Sequence, residues 1–293
     1  APYTSIDTGK VRLGVDVLPK FPRDTTDRNR TSPFAFTGNK FEFRMVGSAD
    51  SIACANIMIN TAVAESLRVY ADRLEGAEDF EAALQSMIRK TIQDHKRIIF
   101  NGNGYDDAWI KEAVEQRGLA NYRTTPDCVP HLLDEKNVQL LTSHKVFTKA
   151  ELVSRYEVTL ENYCKTIRIE ADTMVDMART EIIPAVQAFI LDTAKTAAAK
   201  KKLIAGCPCE YEVKLVKQLA ILTDQMAAKA DELEQAVLAL AGAGDVAKES
   251  AAIRDVVLPR MSELRLACDE AETLTAKKYW PFPTYGDLLF GVR

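Results

Sequence analysis

Apolar residues alternate at period two near the start of the chain and recur at helical spacing after about residue 51. Val11, Leu13, Val15 and Val17 alternate, and Pro19 and Pro22 close that run. Thr37-Gly38-Asn39 is turn chemistry, and residues 40–45 then alternate polar and apolar. That alternation puts Lys40, Glu42 and Arg44 on one face of a strand, with Phe41, Phe43 and Met45 on the other. Between 51 and 76 the set Ile52, Ile57, Ile59, Val63, Leu67 and Tyr70 predicts a largely buried helix ended by Gly76. A second helix is predicted over 78–100, and 101–147 reads as an irregular connector.

From residue 148 the helical signal is long and sustained. Thr148 and Glu151 form a capping-box pattern, and the helix they open runs to about 203 with a kink expected at Pro184. Turns at 206–209 and 242–245 separate two further helices, 210–240 and 246–278. Three long helices joined by short turns predict an antiparallel bundle. The expected fold class is therefore mostly α with a small β part. Its N-terminal strands would belong to an α+β domain over 1–147, and the long-helix bundle would occupy 148–293.

Composition narrows the function. The 293 residues hold 38 Lys and Arg against 42 Asp and Glu, a net charge of −4. That balance argues against a nucleic-acid binder, which needs concentrated positive charge. No run is apolar and long enough to predict a membrane span, and no signal-peptide pattern opens the chain. Six cysteines without framework spacing fit a reducing compartment, so a cytoplasmic protein is expected.

Two stretches could carry chemistry. Glu42 flanked by Lys40 and Arg44 suits a site that handles a hard cation and an anion together, because a carboxylate ligates the metal and a guanidinium clamps the anion. The same pattern also describes a half-exposed strand whose charges pair across a sheet. The polar loop 24–33 holds Arg28 and Arg30, close enough to reach one anion, but Asp, Thr and Asn equally build a hydrogen-bonded turn.

Arg28-Asn29-Arg30-Thr31-Ser32, followed by Lys40-Phe41-Glu42-Phe43-Arg44, resembles the substrate-binding segment of glutamine synthetases. With Pro33-Phe34-Ala35-Phe36-Thr37-Gly38-Asn39 between them, the string looks like the large bacterial type III form. The resemblance implies ATP-dependent ligation of ammonia to glutamate through γ-glutamyl phosphate, in a ring-type homo-oligomer. It implies that Arg28, Arg30, Lys40 and Arg44 bind nucleotide or glutamate, and that Glu42 ligates one Mg2+ or Mn2+ ion. Where shorter family members carry a further arginine, five residues after the one matched by Arg30, this chain has Ala35. Family members place most metal-binding glutamates upstream of the matched segment, so the resemblance implies that the general base and remaining ligands lie upstream or on a neighbouring subunit. The expectation is therefore the C-terminal part of a longer enzyme, inactive alone. A rival of another class is a non-catalytic helical module for assembly or regulator docking.

The remaining motifs read as structure. Residues 100–105 are glycine-rich but lack a following lysine, with Asp106 and Asp107 as helix-starting residues. Cys207-Pro208-Cys209 has one intervening residue where redox and zinc pairs have two, and reads as a helix–helix turn. His95, His131 and His144 receive no role. Tyr279, Trp280 and Phe282, stiffened by Pro281 and Pro283, are expected to latch onto the helical core or a neighbouring subunit.

Overall fold

A computed structural model describes residues 10–11, 21–22, 34–36, 41–43, 51–100, 103–104, 106–240 and 244–291. The chain divides into two compact units, Ala1–Asn121 and Tyr122–Arg293.

The expected fold class is corrected in its β part. Among the described residues, extended structure is limited to four fragments. Strand β1 (Lys10–Val11) pairs antiparallel with β2 (Phe21–Pro22), and β3 (Phe34–Phe36) pairs antiparallel with β4 (Phe41–Phe43). Two-stranded pairs of two or three residues are not the sheet of an α+β domain, because a lone pair is marginal in water. Period-two alternation reports an extended face; it does not supply a third strand.

The other described residues of the first unit are mostly helical. Helix α1 (Ala53–Leu74) stops at Gly76, whose φ of +79° is left-handed and favours glycine. Helix α2 (Phe80–Asp94) starts at Asp79, whose side chain accepts from the Ala82 amide at 3.0 Å. Helix α1 is not the largely buried helix its apolar density predicts. Only Thr61 is buried on it, and Leu67 is 62% exposed. An apolar stripe is necessary for burial, but a covering surface must also face it.

Within the predicted 101–147 connector, the described residues 106–147 hold several short elements. They are α3 (Asp107–Lys111), the π turn Glu112–Gln116, α4 (Thr125–Cys128), a 3-10 turn (Val129–Leu133) and α5 (Glu135–Ser143). These elements are short, so their apolar periodicity spans too few turns to register.

In the second unit, α6 (Lys149–Met177) opens on a complete capping box, Thr148 with Glu151. It continues through the π turn Ala178–Ile182 into α7 (Ile183–Leu203). Helix α8 (Glu210–Ala239) returns. Then α9 (Val246–Ala252), the π turn Ile253–Val257 and α10 (Leu258–Leu274) run back again, with Asp245 capping α9 through the Ala247 amide at 2.9 Å. Two π turns end just before Pro184 and Pro259. Each proline lacks an N–H and crowds the carbonyl four residues back, and a widened turn relieves both. The helix thus bulges where a kink at Pro184 is expected.

Ion pairs report the directions of the helices. Arg179 of the first π turn meets Asp231 at 2.6 Å and Glu234 at 2.9 Å on α8, and Lys200 meets Glu212, so the two helices are antiparallel. Lys229 reaches Glu263 at 2.9 Å and Arg260 reaches Glu232 at 2.6 Å, which makes α8 and α10 antiparallel too. Between the helices, Ala171, Val186, Leu219, Met226, Leu233 and Ile253 are fully buried. Their removal from water, at about 25 cal/mol per Å2, is the main stabilising term of the bundle. The exposed ion pairs among these contribute little to stability and chiefly fix register.

Beyond α10, Trp280 and Phe282 lie against the same core, and helix α11 (Tyr285–Phe290) follows. Asp287 ties α11 down. It accepts from the Thr284 amide at 2.9 Å and from Lys277 at 2.6 Å, and chiefly Lys277 holds its carboxyl down to about 2. A depressed carboxyl stabilises the fold fully above its unfolded value of about 3.9, and that contribution fades as pH falls towards 2. Lys277→Met is therefore expected to raise the Asp287 midpoint in an NMR titration. An unchanged midpoint would mean that the pair does not form in solution.

Candidate functional site

The five residues singled out for binding lie near the start of the chain. Arg28, Arg30, Lys40 and Arg44 fall outside the described residues. Glu42 is the central residue of β4 and stands opposite Ala35 of β3 in the antiparallel register. Only one of the five thus has a described backbone position. Among the described residues, no group of three His, Cys, Asp or Glu side chains converges to hold a metal ion. Glu42 offers one carboxylate, whereas Mg2+ demands six oxygen ligands in near-octahedral geometry. This donor set is insufficient for a divalent ion without ligands from elsewhere.

The first unit also holds a polar-aromatic knot that sequence reasoning passed over. Phe100 and Trp109 stack with ring centroids 3.7 Å apart, and the Arg117 guanidinium sits 4.7 Å from the Trp109 ring centre. Arg117 also donates to the carbonyls of Arg97 at 3.1 Å and Ile99 at 2.9 Å, and grips Glu112 at 2.6 Å. A planar guanidinium can stack and donate in its plane at once, which a lysine cannot. The knot ties the segment leaving α2 to the π turn. Nothing in the spacing of Phe100, Trp109 and Arg117 announces it; the only sequence signal is two aromatics and an arginine in a glycine-rich stretch. Asp106 starts α3 by accepting from the Ala108 amide at 2.9 Å, so this part of the 100–106 stretch is a helix cap.

In the second unit, charges are paired on the surface. Arg254 joins Asp127 and Asp255, and the buried Tyr163 hydroxyl beside them has no hydrogen-bond partner. Burial pushes the Tyr163 phenol up and keeps it protonated. His131 meets Asp134 at 2.9 Å and stacks on Tyr122 with centroids 4.0 Å apart. Asp231, Glu232 and Arg260 line an open groove, and every one of them is already in an ion pair. Glu212 is nearly buried, and its hydrogen bond from Lys200 holds its carboxyl below the usual range. The turn at 206–209 places the Cys207 and Cys209 sulfurs 3.5 Å apart. No helix among the described residues is long and apolar enough to cross a membrane.

Comparison with known proteins supplies what the geometry leaves open. Residues 83–201 match the family described as "Glutamine synthetase C-terminal domain". The chain is 38% identical over 278 residues to a glutamine synthetase of Butyrivibrio fibrisolvens, covering 93% of this chain and 39% of that protein. It is 36% identical to a type-3 glutamine synthetase of Dictyostelium discoideum, covering 95% of this chain and 39% of that protein. A glutamine synthetase of Bacteroides fragilis (strain YCH46) is 32% identical, covering 96% and 39% respectively. The chain thus spans about 39% of the length of the curated relatives it matches.

Proposed function

We propose that this chain, a C-terminal portion of the glutamine synthetase family, contributes anion-binding residues and a helical scaffold to an enzyme that joins ammonia to glutamate using ATP. The observation that carries the reading is similarity along nearly the whole chain to three glutamine synthetases, one of them type-3. In this reaction the glutamate side-chain carboxylate attacks the γ-phosphorus of ATP, and ADP leaves. Ammonia then displaces phosphate from the resulting γ-glutamyl phosphate. Two anions must meet while negative charge spreads over the transferring phosphoryl group, so fixed cations aimed at that charge lower the barrier. Arg28, Arg30, Lys40 and Arg44 serve that purpose by binding nucleotide and glutamate. Glu42 supplies one ligand to Mg2+ or Mn2+; the other ligands and the general base come from outside this chain. The setting we propose is a cytoplasmic homo-oligomer.

The test is phosphate release that depends on ATP, glutamate and ammonium. The chain alone is expected to give none. In a full-length enzyme carrying this segment, Arg44→Ala is expected to lower kcat about a hundredfold, the equivalent of about 3 kcal/mol of transition-state stabilisation. Glu42→Gln keeps the side-chain volume and loses the charge, so it is expected to shift the metal titration before it shifts the melting temperature. Normal kinetics in Arg44→Ala, or an unchanged metal titration in Glu42→Gln, would remove that residue from the site.

A second reading is favoured by one observation. Tyr285, Leu288, Leu289 and Phe290 of α11 are two-thirds or more exposed on a helix that Thr284 and Lys277 hold in place. Such a stripe suits an assembly module whose partner is another copy of the chain. Leu289→Asp would then lower the sedimentation coefficient without altering helix content, and an unchanged oligomer would exclude the reading.

A further inference from the structure

We infer that Cys207 and Cys209 form a reversible thiol–disulfide pair, oxidised by a low-molecular-weight disulfide of the glutathione class. Their sulfurs already touch at 3.5 Å, so ring closure needs a shortening of only about 1.5 Å. The backbone enforces that contact. Pro208 restricts its own φ, and Cys209 adopts φ +48° and ψ +36°, a left-handed conformation that a residue with a Cβ rarely takes. Together they fold a three-residue turn back on itself, immediately before the 30-residue helix α8.

The two sulfurs differ in access, which orders the steps. Cys207 is half-buried, whereas Cys209 is 5% exposed and contacts the Ala197 carbonyl at 3.6 Å. Burial and the neighbouring sulfur push the Cys209 thiol up, so it is held as the protonated, second-acting partner. The Cys207 thiolate, having lost its proton to solvent, attacks oxidised glutathione. The glutathione S–S bond breaks, a mixed disulfide forms at Cys207, and one glutathione thiolate leaves and is protonated. Cys209 then gives up its proton and attacks the Cys207 sulfur, expelling the second glutathione. Two protein thiols are oxidised, one disulfide is reduced, and two free glutathiones result. The other cysteines are placed differently. Cys164 and Cys268 are buried, with thiols pushed up to about 11, and Cys54 and Cys128 are exposed. Closure also removes the thiol hydrogen that Cys209 donates to the Ala197 carbonyl, so the pair couples the redox state to the α7–α8 turn.

The experiment incubates the chain in mixtures of reduced and oxidised glutathione, quenches in acid, alkylates, and maps cysteines by mass spectrometry. The peptide holding both residues is expected to lose the mass of two hydrogens and to lose all alkylation, both restored by dithiothreitol. Cys209→Ser is expected to stop at a glutathione adduct on Cys207. Should that variant fail to fold, Cys207→Ser, which changes the more accessible partner, is expected to leave Cys209 unmodified in the same mixtures. Free thiols at both positions under conditions that fully modify Cys54 would overturn the proposal. So would an adduct on Cys207 that persists in the unsubstituted chain.

Discussion

Leu219→Ala is expected to destabilise the second unit by about 4 kcal/mol and to lower its melting temperature by on the order of 10 °C. Leu219 lies on α8, the central helix of the ion-pair register, and is fully buried among the core residues that include Leu215, Leu222 and Met226. Truncation removes three carbons' worth of transfer free energy and leaves a void that a helix held from both sides collapses into only partly. The control is two residues away. Ile221 on the same helix is 59% exposed, and Ile221→Ala is expected to change stability by no more than about 0.5 kcal/mol. Thermal or urea unfolding followed by circular dichroism measures both. Equal losses in the two variants would mean that α8 does not present the face described here.

The contrast between these two leucine-sized neighbours also marks what a sequence discloses about this chain. Thr148 and Glu151 disclose a helix start because a cap is a local interaction, complete within four residues. The π turns are half legible. A proline inside a helical run announces a defect, yet whether the backbone kinks or widens depends on packing against α8, which no local pattern contains. Helix α1 errs in the opposite direction: its stripe is plain, and its burial is not, since burial belongs to the surface opposite. The N-terminal strands fail for the same reason, since alternation around Glu42 predicts an extended face and says nothing about how many strands join it. The candidate site is legible only through resemblance. Four of its five residues lie outside the described chain, and the polar-aromatic knot around Arg117 joins residues up to 20 apart through carbonyls that carry no sequence signature.

Replacing both Trp280 and Phe282 with alanine is expected to cost about 3 kcal/mol, and to loosen the end of the bundle where the chain leaves α10. Both side chains pack against the core cluster, and their rings meet edge to face with centroids 6.4 Å apart. Each is half-buried, so each truncation alone should cost about 2 kcal/mol, below the 3–5 kcal/mol range for fully buried aromatics. The edge-to-face contact adds a coupling of about 1 kcal/mol, so the two single losses should sum to more than the double variant loses. Tyr279 anchors the same segment from the other side. Its hydroxyl donates to Asp192, holding that carboxyl below the usual range, and its ring lies 5.1 Å from Phe189. Asp192 and Phe189 belong to α7, so the aromatic segment fastens the chain that follows α10 to α7. Loss of that fastening predicts faster amide exchange in the last turns of α7 and α10, with little change near the capping box at Thr148. Hydrogen exchange read by mass spectrometry separates the two regions. Uniform acceleration across the bundle would assign the aromatics to global stability alone, and unchanged exchange with unchanged melting would show that Trp280 and Phe282 do not latch the bundle.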